Sequence, residues 1–181
     1  MLKIKIVFLI IVTICFLSSC IKEGVRTDML GYNEEKDINV KIEKIIEAIN
    51  DKDKDAIKTF FSKSTLDELD DFDESIENLF AFIQGSIDSW EKRTGSSTFD
   101  SKDYDNRKRE YSAFYDVNTA EQQYFFLLDI CSIDTENPDN VGIYLLLVVR
   151  AEDRLNVYDG NNKILFDGKE KLPRIGIYLP F

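Results

Sequence analysis

Two long apolar segments in the second half of the chain constrain its fold more than any other feature. The first is "QQYFFLLDICSID" (122–134), the second is "VGIYLLLVVRA" (141–151), and the turn-rich loop "TENPDN" separates them. Each segment is apolar on both faces at its centre, which is typical of a strand buried on both sides. Two such strands joined by a short loop predict part of an antiparallel sheet.

Weaker patterns predict further strands on either side of this pair. Tyr111, Ala113, Tyr115 and Val117 alternate with polar residues, which indicates a half-buried strand. Near the end of the chain, "YDGNNK" (158–163) is a candidate turn and "RIGIYLP" (174–180) is a candidate last strand.

The first half of the chain has the spacing of helices. Two helices are predicted by apolar residues on one face, at Ile38, Ile42, Ile45, Ile46 and Ile49, and then at Ala56, Ile57, Phe60 and Phe61. Thr65 and Glu68 have the spacing of a capping box for one more turn. The strongest helical pattern runs from Ile76 to Trp90, with Gly85 inside it and a terminator at Gly95. Helices followed by antiparallel strands predict an α+β fold, with N-terminal helices packed on a strongly bent antiparallel sheet.

The N-terminus has the pattern of an export signal. Lys3 and Lys5 precede an uncharged, apolar run from Ile6 to Leu17, and small residues follow. The sequence "LSSC", which ends at Cys20, resembles a bacterial lipobox, and that resemblance implies cleavage before Cys20 and acylation of its sulfur and amino group. We therefore expect a signal peptide at 1–19, a lipid-anchored tether at 20–35 and one domain at 36–181. The alternative is an uncleaved signal anchor.

Composition excludes several classes of function. The chain has 34 acidic and 23 basic residues, two of the basic ones in the signal, so the mature net charge is −13. Such a chain is repelled by phosphate backbones, and we predict no nucleic-acid partner. It has no histidine, which removes imidazole bases and the usual zinc sites. Cys131 is the one cysteine left after Cys20 and the signal, so no internal disulfide is expected.

The order of elements, with "AINDKDKDAIKTFFS" at the front, resembles the cystatin-like cone of the nuclear-transport-factor-two superfamily. The segments "AFIQGSIDSWE", "NPDNVGIYLLLVVRAED" and "GIYLP" behind a lipobox look like a family of uncharacterised lipoproteins of Gram-positive bacteria, domain-of-unknown-function family 5104. This resemblance implies a cone-shaped α+β domain and a place on the outer face of the cytoplasmic membrane. It implies no catalytic residues.

Asp129 is the best candidate for chemistry, because it interrupts an apolar strand. A carboxylate there must be paired, hydrogen-bonded or protonated, and Arg150 at the end of the next strand is a candidate partner. A desolvated carboxylate can also act as a general base. The aromatic candidates for lining a pocket are Trp90, Tyr111, Tyr124 and Tyr144. The alternating carboxylates from Asp51 lack the glycine and glutamate of a calcium loop, so no metal site and no cofactor are predicted.

Three classes of function stay open at this point, and one of them is a structural or envelope-stress role with no discrete ligand. The first, which we favour, is a lipid-anchored binding or interaction protein outside the membrane, for a protein partner or a small ligand, with an immunity-type lipoprotein as one version. The second is an isomerase- or dehydratase-like enzyme that uses Asp129 in a cone pocket. A cavity of roughly 300 Å³ or more with Asp129 on its wall favours a ligand inside the domain. A cone filled by side chains leaves only the outer surface of the domain as the functional part.

The lipobox makes a direct prediction about Cys20. Cells that express the chain and are fed an alkyne fatty acid should label the wild-type protein, because the acyl chains are joined to this cysteine. The Cys20→Ala variant should take up no label. A labelled variant would overturn the prediction.

Overall fold

The computed structural model describes residues 22–158 and 174–180. The chain separates into two compact units, Met1–Lys44 and Ile45–Phe181. The predicted signal at 1–19, Cys20 and most of the candidate turn "YDGNNK" lie outside the described residues. Among the described helices, none is both long enough and apolar enough to cross a membrane.

The first helix, α1, begins earlier than the sequence pattern predicts. It spans Lys22–Asp51, so much of the segment expected to be an irregular tether is helical. The isoleucine pattern is confirmed in the second unit, where Ile45, Ile46 and Ile49 are buried.

Two short helices follow, and each begins at a side-chain cap. Helix α2 spans Lys54–Lys58, and the carboxylate of Asp53 accepts a hydrogen bond from the backbone N–H of Ala56 at 2.9 Å. Helix α3 spans Lys63–Glu68, and its cap is Ser62, which accepts from the backbone N–H of Thr65 at 3.2 Å. The predicted capping box at Thr65 and Glu68 is therefore wrong by three residues.

The strongest helical pattern covers a helix and a strand. Helix α4 spans Phe72–Phe82, and β1 begins at Ile87. Gly85 has φ +79°, which ends the helical path. The side chain of Asn50 then accepts from the N–H of Ile87 at 2.8 Å and donates to its carbonyl at 3.1 Å, which favours an extended backbone there. The predicted helix through Trp90 is thus wrong, and Trp90 lies on β1.

In the part of the chain that the structure describes, six strands form one open sheet. Their bounds are β1 Ile87–Lys92, β2 Ser97–Asp103, β3 Asn106–Thr119, β4 Gln123–Asp134, β5 Gly142–Arg150 and β6 Gly176–Tyr178. The order is β1-β3-β4-β5-β6, and β2 pairs with the other half of β3. The chain also has short 3₁₀ turns at Pro138–Asn140 and Ala151–Asp153, and a one-turn helix α5 at Leu155–Tyr158. An α+β fold with helices before the sheet is confirmed.

The prediction of a wholly antiparallel sheet is wrong at its last strand. β6 pairs with β5 in parallel, with Leu145 opposite Gly176 and Leu147 opposite Tyr178. The other strand pairs are antiparallel. A parallel pair needs a long crossover connection, and the segment 151–175 between the two strands is long enough for one.

The core is centred on β4 and β5, and both apolar segments are strands as predicted. Buried side chains project from both faces of this pair. On one face, a core cluster contains Phe125, Leu127, Leu145, Leu147, Val149 and Val157. The pairing has two irregularities, since Ser132 of β4 has no opposite residue on β3 and Tyr144 of β5 has none on β4. Such bulges bend a strand and re-aim its side chains.

Gly142 allows the segment before α3 to lie against the start of β5. Its φ is +140°, and a Cβ there would stand 2.6 Å from the backbone nitrogen of Ser62. Gly142→Ala should lower the free energy of unfolding by about 2–4 kcal/mol, from strain plus the backbone clash. Urea denaturation measures the loss.

Gly95→Ala is the matched control. Gly95 also has a positive φ, +103°, but a Cβ there would meet only the ring of Phe114 at 3.8 Å. Gly95→Ala should lower the free energy of unfolding by about 1–2 kcal/mol, from backbone strain alone. Equal losses in the two variants would contradict the close approach at Gly142.

Candidate functional site

A half-open cleft of about 390 Å³ lies at one end of the central strands. Its walls come from α3 and its cap, from β3, β4 and β5, and from the residues just before β6. The lining residues are Ser62, Ser64, Thr65, Glu68, Lys108, Glu110, Asp129, Cys131, Asn140, Tyr144, Leu145, Arg174 and Ile175.

Backbone pairing holds the wall formed by α3 in place. The N–H of Ser62 donates to the carbonyl of Ile143 at 2.9 Å, and the N–H of Ile143 donates to the carbonyl of Phe60 at 2.9 Å. The hydroxyls of Ser62 and Thr65 are 2.8 Å apart and share a hydrogen bond. The helix is thereby joined to the edge of β5, next to the cleft.

Asp129 lies on the cleft wall and is only 2% exposed. Ser112 on β3 and Leu145 on β5 are its neighbours across the sheet. The Ser112 hydroxyl donates to Oδ1 of Asp129 at 2.5 Å. A serine on the neighbouring strand thus stabilises this buried carboxylate, as a buried charge requires.

The predicted pairing of Asp129 with Arg150 is wrong. Arg150 lies opposite Tyr124, at the far end of the β4–β5 pair, which is five residues along β4 from Asp129. Its side chain is exposed, and its guanidinium carbon stands 6.0 Å from the centre of the Phe82 ring. Adjacent strands in sequence bring these residues into one sheet, but the antiparallel register separates them.

Of the four aromatic candidates, only Tyr144 lines the cleft. It is the extra residue of the β5 bulge. Burial raises the pKa of its phenol above the ordinary 10.0, and the carboxylates of Asp129 and Glu110 raise that pKa further. The phenol therefore stays protonated and can donate a hydrogen bond.

The other three aromatic candidates have structural contacts. The hydroxyl of Tyr124 accepts from the N–H of Gln84 at 2.8 Å, just after α4. Nζ of Lys92 donates to the hydroxyl of Tyr111 at 3.0 Å. Trp90 packs edge to face on Tyr115, with ring centres 5.6 Å apart.

Several lining groups were not anticipated from the sequence. Lys108 and Glu110 on β3 form an ion pair at 2.7 Å on the cleft wall. Burial raises the pKa of the Cys131 thiol, and the nearby carboxylates of Asp134 and Glu110 add to that rise, so the thiol stays protonated. The sequence held one signal for the residues of β3: the period-two spacing of Lys108, Glu110 and Ser112 places all three side chains on the same face of the strand.

The loop between β4 and β5 holds another lining residue, Asn140. The carboxylate of Asp134 accepts from the backbone N–H groups of Glu136 at 3.1 Å and Asn137 at 2.8 Å, and from the side-chain amide of Asn140 at 2.9 Å. Asp134 therefore orders the whole turn.

The lining combines both signs of charge. Glu68, Glu110 and Asp129 contribute carboxylates, and Lys108 and Arg174 contribute cations. Among the described residues, no group of three or more cysteine, aspartate or glutamate side chains could hold a metal ion. The arrangement offers hydrogen-bond donors and acceptors to an organic molecule of modest size.

These features define a mixed α+β domain with a polar cleft beside its central strands. The chain belongs to the family described as "Domain of unknown function (DUF5104)", whose family model matches residues 44–151. That range includes every lining residue except Arg174 and Ile175. No curated protein matches the chain in sequence.

Asp134 makes stability depend on pH. Its hydrogen bond from the N–H of Asn137, with those from Asn140 and Glu136, holds the pKa of its carboxyl below the ordinary 3.8. The native state therefore favours the charged form. At pH 7, Asp134→Asn should lower the free energy of unfolding by about 1 kcal/mol. The difference in stability between the wild type and Asp134→Asn should shrink as pH falls below 3.8 and through the native pKa. Wild-type Asp134 then becomes neutral, as the asparagine already is.

Urea denaturation at pH 7, 5 and 3 measures this difference. Asp105→Asn is the control, because Asp105 lies exposed in the β2–β3 turn. It should leave stability unchanged at each pH. A difference in free energy of unfolding between the wild type and Asp134→Asn that stays constant down to pH 3 would refute the view that these hydrogen bonds favour the charged Asp134 carboxylate.

Proposed function

We propose that this chain is a lipid-anchored domain on the outer face of the cytoplasmic membrane, and that it binds a small polar molecule in the cleft. One observation carries the proposal: a half-open cavity of about 390 Å³ has the buried Asp129 on its wall. Ligand pockets typically have volumes of about 300–1,000 Å³, with a few polar groups placed among apolar ones.

The position of Asp129 supports a ligand rather than a purely structural role. Residues 124–131 of β4 are all buried, and Asp129 is the only charged side chain among them. A carboxylate placed there lowers stability relative to an apolar residue unless its hydrogen bonds compensate. Its place beside the Tyr144 phenol gives a ligand both an anionic acceptor and a neutral donor.

The charges of the lining support a particular kind of ligand. Three carboxylates and two cations, together with hydroxyl and amide groups, suit a molecule that carries several hydroxyl or amine groups. A purely apolar ligand would remove water from these groups and offer them no hydrogen bonds in exchange, which costs about 1–3 kcal/mol for each hydrogen bond lost.

The lipid anchor, the location and the finer fold are part of the same proposal. The lipobox at Cys20 supports the anchor, and the net charge of the mature chain supports a domain that stands off the anionic membrane surface. The bulges at Ser132 and Tyr144, which bend strands, support the cystatin-like cone. The immunity-type version still rests on charge and location alone.

An enzyme is the second candidate, and the same carboxylate favours it. Asp129 faces a cavity that a substrate of modest size can enter, so it could accept a proton as a general base. The two candidates differ in what happens to the bound molecule. A binding protein returns it unchanged, and an isomerase or dehydratase alters it.

A thermal-shift screen of small polar metabolites against the full chain in mild detergent tests the cleft. A true ligand at one hundred times its dissociation constant adds about 2.7 kcal/mol, or about 5–10 °C in melting temperature. Asp129→Asn should reduce this shift, because the anionic acceptor is gone. Ser64→Trp should abolish it, because the indole fills the cleft from the half-buried Ser64 of α3.

Asp88→Asn makes the same chemical change on the exposed side of β1 and should keep the full shift. Ligands that stabilise the wild type and the Ser64→Trp variant equally would place binding elsewhere. Mass spectrometry of the recovered ligand then separates the candidates: conversion that Asp129→Asn abolishes identifies an enzyme.

A further inference from the structure

A second cavity, of about 260 Å³, lies apart from the cleft. Its lining residues are Arg93, Thr94, Phe114, Phe125 and Arg154. Among residues 22–158 and 174–180, none lines both cavities, and no carboxylate lines this one. In a chain with a net charge of −11, two guanidinium groups around an apolar cavity are unusual.

Arg93 is held in place from two sides. Its backbone N–H donates to the carbonyl of Phe114 at 2.8 Å, and Nη1 donates to the carboxylate of Asp116 at 2.5 Å. Its side chain keeps 36% of its surface exposed. Its other guanidinium nitrogens make no hydrogen bond to any residue that the structure describes, so they can donate to a molecule in the cavity.

Arg154 contributes the second guanidinium group of the cavity. It is half-buried, and it forms no ion pair with residues 22–158 or 174–180. The turn Ala151–Asp153 and the hydrogen bond from Val157 N–H to the Arg154 carbonyl, at 3.0 Å, fix its backbone. Val157 belongs to the same core cluster as Phe125, and this packing keeps Arg154 beside the aromatic rings.

Two aromatic rings complete the cavity. Phe114 and Phe125 come from neighbouring strands and stack with centres 6.2 Å apart and planes at 20°. Flat rings of this kind favour a flat molecule next to them. Guanidinium groups recognise carboxylates through two parallel hydrogen bonds, which also favours a planar anion.

We propose that this second cavity binds a small planar carboxylate of the benzoate type. The carboxylate contacts Arg154 and the open edge of Arg93, and the flat body of the molecule lies against the half-buried ring of Phe114, on which the buried Phe125 ring stacks. This site is independent of the polar cleft and its ligand.

Titration of the ¹⁵N-labelled full chain with sodium benzoate, in mild detergent at constant ionic strength, tests the proposal by NMR. Amide signals of Thr94, Phe114 and Phe125 should shift together with one dissociation constant. Benzamide has the same shape without the charge, and it should bind at least tenfold more weakly. Inorganic phosphate, a non-planar anion, should also bind more weakly than benzoate.

Two variants and one matched control complete the experiment. Arg154→Gln should weaken benzoate binding at least tenfold, whereas Arg150→Gln, the same change at an arginine outside the cavity, should leave it unchanged. Thr94→Tyr changes an exposed loop residue and should block the cavity without disturbing the core.

Three results would overturn the proposal: no benzoate-dependent shift of the lining amides, equal affinity for benzamide, or equal weakening by Arg154→Gln and Arg150→Gln. Tighter binding of phosphate than of benzoate would reject the planar carboxylate as the ligand.

Discussion

The pairing of β4 with β5 is the interaction on which the rest of this structure depends. Both strands are buried on both faces along most of their length, so their backbone groups must pair with other backbone groups rather than with water. β3 and β6 supply those partners, and the helices cover apolar side chains. The carboxylate buried at the centre of β4, Asp129, is tolerated because Ser112 donates to it from β3.

Irregular pairing, rather than regular structure, brings the cleft residues together. The bulge at Tyr144 interrupts the register between β4 and β5, and Tyr144 lies on the cleft wall beside Asp129. Gly142 lets the segment at Ser62 approach the same strand closely. The second cavity has the opposite character, with Arg93 and Arg154 around stacked rings. One sheet thus presents a cleft lined by both signs of charge and a separate cavity lined by two arginines.

Much of the fold follows from the sequence, and the failures have identifiable causes. The two apolar segments are strands, and Asp129 does lie on a cavity wall. The helix predicted through Trp90 failed because apolar spacing cannot show that Asn50, which is distant in sequence, binds the backbone of Ile87. Strand β2 was missed because all seven of its residues are exposed, so it has no buried alternation to detect.

The sequence by itself determined that helices precede a run of strands, that β4 and β5 are apolar on both faces at their centres, and that one carboxylate interrupts the apolar surface of β4. These follow from local periodicity and from the cost of burying charge. Only the tertiary structure decided that Ser112 and not Arg150 contacts Asp129, that β6 runs parallel to β5, and that Tyr144 reaches the cleft. Strand register and bulges decide these contacts, because a shift of one residue moves every side chain to the other face.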